Sequence, residues 1–192
     1  ITNPFFPLLV RGAEDAAWKH NYVLTTFNSD DQMEREKQIF SVLRKRNVDG
    51  MLLVLAAGEG DLPHLRQTAA VTPVVCLDRT PQGLELDSVT VDNAGGARAC
   101  VAHLIERGHR RIGVLTGALN LETGRERLRG YKEALHEAGI PIDPALIRCC
   151  DFRLEPGYRE GKALLDQPWR PTAVFGCNGV MTLGLLKAME IA

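Results

Sequence analysis

Short, nearly continuous apolar runs separated by helical segments constrain this chain more than any other feature. MLLVL (51–55), PVVCL (73–77), RIGVLTG (111–117), LIRCC (146–150) and TAVFG (172–176) do not alternate in and out as half-solvated strands do. Runs of this kind are strands buried on both faces, which happens where helices cover both sides of a parallel sheet. Helical spacing fills the intervals, over about 31–45, 61–70, 94–107, 123–138 and 156–166, with a last helix from about 180. YVLTT (22–26) reads as a further strand. The expected architecture is α/β and Rossmann-like, with parallel sheets.

The first helix follows the turn ITNPFF. Apolar or small residues recur at Phe6, Leu9, Val10, Ala13, Ala16 and Ala17, the spacing of one buried stripe, with Asn3 placed to cap the helix and Pro4 suited to its first turn. Between two sets of strands lies DRTPQGLELDSVTVDNAGG, rich in turn residues around a short strand-like SVTV (88–91). That bridge suits either a loop within one sheet or hinges between two lobes. LRKRNVDGMLLVL and LIERGHRRIGVL both run from a basic helix end into a buried strand, and this echo favours two lobes, 1–91 and 92–192. A parallel sheet feeds each helix from a strand, yet none precedes the first helix and none follows GVMTLGLLKAMEIA. The pattern therefore expects a fold truncated at both ends.

A chain of 192 residues, 45% of them hydrophobic, can bury a substantial core. Its net charge of -1, with the signs interspersed, supplies none of the positive field that nucleic-acid affinity rests on, so these residues alone do not grip DNA. No run nears the ~20 apolar residues of a membrane span and no basic-then-apolar leader opens the chain, which points to a cytoplasmic protein. Cys76, Cys100, Cys149, Cys150 and Cys177 are odd in number, lack CxxC spacing and sit mostly in apolar runs, the pattern of buried reduced thiols. Catalytic signatures fail on spacing: GEG (58–60) has no third glycine opening a helix, and TGALNLETG has no lysine to reach a phosphate. The histidines are scattered without HExxH, and His109 in ERGHRR reads as a turn residue. No catalytic residue, metal or cofactor is expected.

What remains is a set of polar and aromatic residues just past strand ends or at helix starts, where open α/β sheets bind ligands. They are Asn3, Phe5 and Phe6 in the opening turn, Asp78 and Arg79 after PVVCL, Thr123 and Arg127 after RIGVLTG, Phe152 after LIRCC, and Asn178 after TAVFGC. Each has a plainer role open to it: core packing for the rings, helix capping for Asp78 and Asn178, surface pairing with Glu122 or Glu126 for Arg127. Taken together they suit a small polar ligand. Rings cover the CH face of a sugar or the face of a base, carboxylate and amide fix hydroxyls, and an Arg fork adds charge-assisted hydrogen bonds.

ITNPFF, RGAEDAA, VDGMLLV, PVVCLDR, DSVTVDNAGGA, HLIERGHRRIGVLTG, RERLRGYKEAL, GIPIDPALI and RPTAVF, in this order over essentially the whole chain, strongly resemble the effector-binding core of LacI/GalR-type bacterial transcriptional repressors. The resemblance implies a type I periplasmic-binding-protein-like fold of two lobes. It also implies a small effector held between the lobes, a homodimer, and operator DNA bound through a helix-turn-helix headpiece outside this chain. On the same resemblance Phe5 and Phe6 form one wall of the effector cleft, Arg127 grips ligand, Phe152 packs on it, and Asp78 is the acidic residue after the lobe-edge strand. Asn178 corresponds to the first member of an Asn-Asp pair, but Gly179 stands in place of its Asp, and a later ligand-contacting Asp of the family falls beyond Ala192. Purine-binding relatives carry an Arg two places before the Thr matching Thr123, where this chain has Leu121. A monosaccharide or related polyol is thus favoured as effector. The alternatives are a purine-responsive repressor and a transport-associated periplasmic sugar-binding protein.

Overall fold

A computed structural model describes residues 3–56 and 62–191. The GEG motif at 58–60 lies outside the described residues. The chain divides into two compact units, the first comprising Ile1–Cys76 and Pro81–Asp87, the second Leu77–Thr80 and Ser88–Ala192.

In the first unit, helix α1 (Phe5–Lys19) begins one residue after Pro4. The Asn3 side chain does the capping: its Oδ1 accepts the Phe5 N–H at 3.0 Å, and its backbone carbonyl accepts the Phe6 N–H at 3.2 Å. The stripe expected on α1 has the right phase but is only half-buried, and Ala16 on it is exposed. No residue of α1 is fully buried. YVLTT is not a strand: residues 22–29 carry no ladder pairing, and Tyr22 and Val23 are exposed. A strand exists only through a neighbour's hydrogen bonds, and β-propensity without a partner leaves the segment irregular.

Helix α2 (Met33–Arg44), strand β1 (Met51–Leu53), helix α3 (Pro63–Ala69) and strand β2 (Val74–Leu77) follow in the expected alternation. β1 and β2 pair in parallel, Met51 opposite Val74 and Leu53 opposite Cys76. Strand β3 (Asp87–Val89), one residue earlier than SVTV suggested, completes the order β1-β2-β3. Phe40, Leu53, Leu55, Leu62, Leu65 and Val74 form the core of this unit. One carboxylate lies among them. Glu36 accepts the Ala56 N–H at 2.7 Å on one oxygen and meets His64 Nε2 at 2.9 Å on the other, which satisfies a charge that burial would otherwise penalise.

The second unit is built on strand β4 (Ile112–Thr116), flanked by β5 (Ile147–Cys149) and β6 (Ala173–Gly176), both parallel to it. All five β4 residues are buried, as the apolar run predicted. β5 and β6 are not: they stand at the edges of the described sheet, half-buried or exposed. Helices α4 (Asn93–Glu106) and α5 (Glu122–Glu137) pack together, as do α6 (Leu154–Leu165) and α7 (Gly179–Ile191). Asp92 caps α4 by accepting the Gly95 N–H at 2.7 Å. Tyr131 on α5 is wholly buried, and its hydroxyl donates to the Ile112 carbonyl at 2.8 Å, fastening helix to central strand.

The cysteines correct one expectation. Cys76, Cys150 and Cys177 are buried, but Cys100 and Cys149 are exposed, the first on α4 and the second on edge strand β5. An apolar run does not guarantee burial where the strand carrying it has a neighbour on one side only. His109 sits in the turn after α4: its N–H donates to the Leu104 carbonyl at 3.1 Å and its Nδ1 lies 3.0 Å from Thr172 Oγ1.

Candidate functional site

Six of the nine candidate residues belong to the second unit: Asp78, Arg79, Thr123, Arg127, Phe152 and Asn178. They gather past the C-terminal ends of β2, β4, β5 and β6 and along the first turns of α5. Asn3, Phe5 and Phe6 belong to the first unit, where the two rings meet edge to face with centroids 5.3 Å apart. Phe5 is exposed and Phe6 half-buried, so neither ring is a core residue.

Arg127 is the hub. Its Nε–H donates to Asn93 Oδ1 at 2.8 Å and its Nη1–H to the Cys177 carbonyl at 2.7 Å, so α5 is tied at this point to the start of α4 and to the end of β6. The guanidinium carbon also lies 5.9 Å from the Phe152 ring centroid, within cation–π range. The surface pairing open to Arg127 from sequence does not occur. Arg129 takes Glu126, and Thr80 takes Glu122. Thr123 precedes Arg127 by one helical turn, on the same face of α5, and is buried.

Phe152 is held from both sides. Its backbone adopts φ 64°, in the left-handed region. Asn178 Nδ2–H donates to its carbonyl at 3.2 Å. Its ring lies against the Cα of buried Gly117, where an added Cβ would come within 1.8 Å of the ring. Asn178 itself is a helix cap, Oδ1 accepting the Met181 N–H at 2.8 Å. The capping role foreseen for it and its place beside the aromatic wall are one arrangement. Gly179 beside it leaves open space where a Cβ would stand.

Asp78 and Arg79 form a buried adjacent pair, Oδ2 to Nε 3.7 Å, with Asp78 at φ 66°. Three consecutive amides of this segment are satisfied: Asp78 N–H by Val89 O at 2.9 Å, Arg79 N–H by Leu77 O at 2.7 Å, and Thr80 N–H by Glu122 Oε2 at 2.9 Å. Nearby, burial pushes the Cys177 thiol up to about 12, an effect only partly opposed by its hydrogen bond to Thr116 and by the Arg127 charge. That sulfur remains a protonated packing group, not a nucleophile.

The sequence did not single out Asn93, Thr80 or Gly117, and it offered Glu122 only as a surface partner for Arg127. Asn93 carried a weak signal, a polar residue in the first turn of a helix within VDNAGG. The others act through partners 35 or more residues away, which no local pattern records.

The family described as "Periplasmic binding proteins and sugar binding domain of LacI family" matches residues 1–192. The chain belongs to this family. Among its LacI-family relatives, the HTH-type transcriptional repressor CytR of Escherichia coli is 36% identical over 187 residues, covering 97% of this chain and 54% of CytR. The HTH-type repressor PurR of Haemophilus influenzae is 32% identical over 186 residues, 97% of this chain and 55% of PurR. The LacI-type chain thus spans about half the length of the curated relatives it matches. Among solved structures, the transcription regulator CcpA of Lactococcus lactis superposes with a TM-score of 0.90 at 28% identity, over 100% of this chain and 69% of that one. A complex of the transcriptional regulator CelR with cellobiose superposes at 0.86 with 32% identity, over 98% of this chain and 58% of that one.

Proposed function

We propose that this chain is the effector-sensing core of a LacI-type transcriptional repressor, with two lobes near 1–91 and 92–192, that holds a monosaccharide or related polyol. The observation that carries this reading is the grouping of Arg127, Phe152 and Asn178 past the ends of β5 and β6, a charged fork and a ring face held in place by neighbours. In the proposal Phe152, with Phe5 and Phe6, covers apolar CH faces, while Arg127, Asp78, Arg79, Thr123, Asn178 and Asn3 meet hydroxyls. The CelR relative in complex with cellobiose supports a sugar. Leu121, buried and apolar, offers no fork to a purine.

The action is allosteric, not catalytic. Effector binding favours one conformation of a homodimeric cytoplasmic protein and so alters operator affinity through a DNA-binding headpiece, as the names of the HTH-type relatives suggest. A ligand shifts such an equilibrium only by its differential affinity for the two states, with couplings of about 1–3 kcal/mol. A thermal-shift screen of pentoses, hexoses, sugar phosphates and purines tests the effector class. Stabilisation by a sugar is expected; stabilisation by a purine alone would replace the sugar with the purine-responsive alternative.

A further inference from the structure

We propose that Glu122 is a positioning residue that makes the segment Leu77–Thr80 and the start of α5 one rigid piece. The inference rests on the effector-sensing reading for its ligand arm only. A single oxygen, Oε2, accepts both the Thr80 N–H at 2.9 Å and the Thr80 hydroxyl at 2.6 Å, the second at the length of a charge-assisted bond. The segment so held is unusual in three respects. It carries the buried Asp78–Arg79 pair, it places Asp78 in the left-handed region that a side chain disfavours, and in sequence it lies between two stretches of the first unit while itself belonging to the second.

A conformation of that kind persists only where its surroundings over-determine it. Leu77 and Val89 supply two of the acceptors from backbone carbonyls, and Glu122 supplies the remaining one from a side chain. Glu122 immediately precedes Thr123 and lies five residues before Arg127, in the first turn of α5, so a ligand drawn to those side chains acts on the helix end that Glu122 ties to the segment. Arg127 spends its hydrogen bonds on Asn93 and the Cys177 carbonyl, and it is the Glu122 carboxylate that joins α5 to Thr80.

The test is native-state amide exchange at Thr80 in wild type, Glu122→Ala and Glu122→Gln, with D-ribose, D-galactose and D-glucose titrations alongside. Glutamine keeps an acceptor oxygen; alanine does not. Glu122→Ala is expected to speed Thr80 exchange by about tenfold while β4 amides keep their wild-type rates, and Glu122→Gln to stay within about threefold. Where a sugar binds wild type, its affinity should fall by about tenfold in Glu122→Ala and be largely restored in Glu122→Gln. Unchanged Thr80 exchange in Glu122→Ala, equal acceleration of β4, or no rescue by glutamine would each overturn the assignment. A wild type that binds no sugar would count against the effector reading, while the exchange arm would still decide the role of Glu122.

Discussion

Gly117 shows how little space separates a ligand wall from a packing fault. The Phe152 ring occupies the position a side chain at 117 would need, with three ring carbons within 2.3 Å of an added Cβ. Gly117→Ala must therefore move the ring, and overpacking of this kind costs about 1–3 kcal/mol. Urea denaturation should register that loss, and effector affinity should fall because Phe152 and its contact with Arg127 are displaced together. Unaltered stability would mean that the ring has another place to go. At this scale the sequence was informative about residue type and poor about partners. It marked Arg127, Phe152 and Asn178, but gave no sign that Arg127 reaches Asn93 and the Cys177 carbonyl, 34 and 50 positions away.

Among elements, the closest approach tested by a single residue is that of α4 to α5. Gly130 lets the helices meet: a Cβ there would fall 2.1 Å from the Ala94 carbonyl oxygen and 2.9 Å from the Ala97 Cβ. Backbone cannot yield as a flexible side chain does, so Gly130→Ala should destabilise the protein by about 1–3 kcal/mol or more despite alanine's better helix propensity. Chemical denaturation measures it; a stabilised variant would show that the helices part without cost. The alternation of helices and parallel strands was legible because apolar runs and helical spacing are local signals. YVLTT failed because a strand needs a neighbour, and the half-burial of β5 and β6 was hidden because edge and centre depend on strand order. The left-handed residues Asp78 and Phe152 left no composition cue, since neither is glycine.

For the whole molecule, burial divides the cysteines into two classes. Cys100 and Cys149 should react with an alkylating reagent in the native protein near pH 8, while Cys76, Cys150 and Cys177 should react only on unfolding. Burial is the leading cause that raises the last three, to about 11, about 12 and about 12 from an ordinary 9.0, and it raises Tyr131 from 10.0 to about 12. Above the ordinary values the unfolded chain releases these protons first, so it binds fewer protons than the native state and stability falls as pH rises. The contribution is fully present below about pH 9 and is lost between there and the raised folded values; flat denaturation midpoints across that window would contradict it.

Isothermal titration calorimetry of monosaccharides and polyols into the complete gene product that carries this chain, as wild type and as Arg127→Ala, bears most directly on the proposal. One sugar or polyol should bind wild type, and the variant should lose roughly 1.5–3 kcal/mol of binding, about tenfold or more. Equal affinity in the two proteins would remove Arg127 from the site, and binding of a nucleobase with no response to any sugar would contradict the sugar-sensing account.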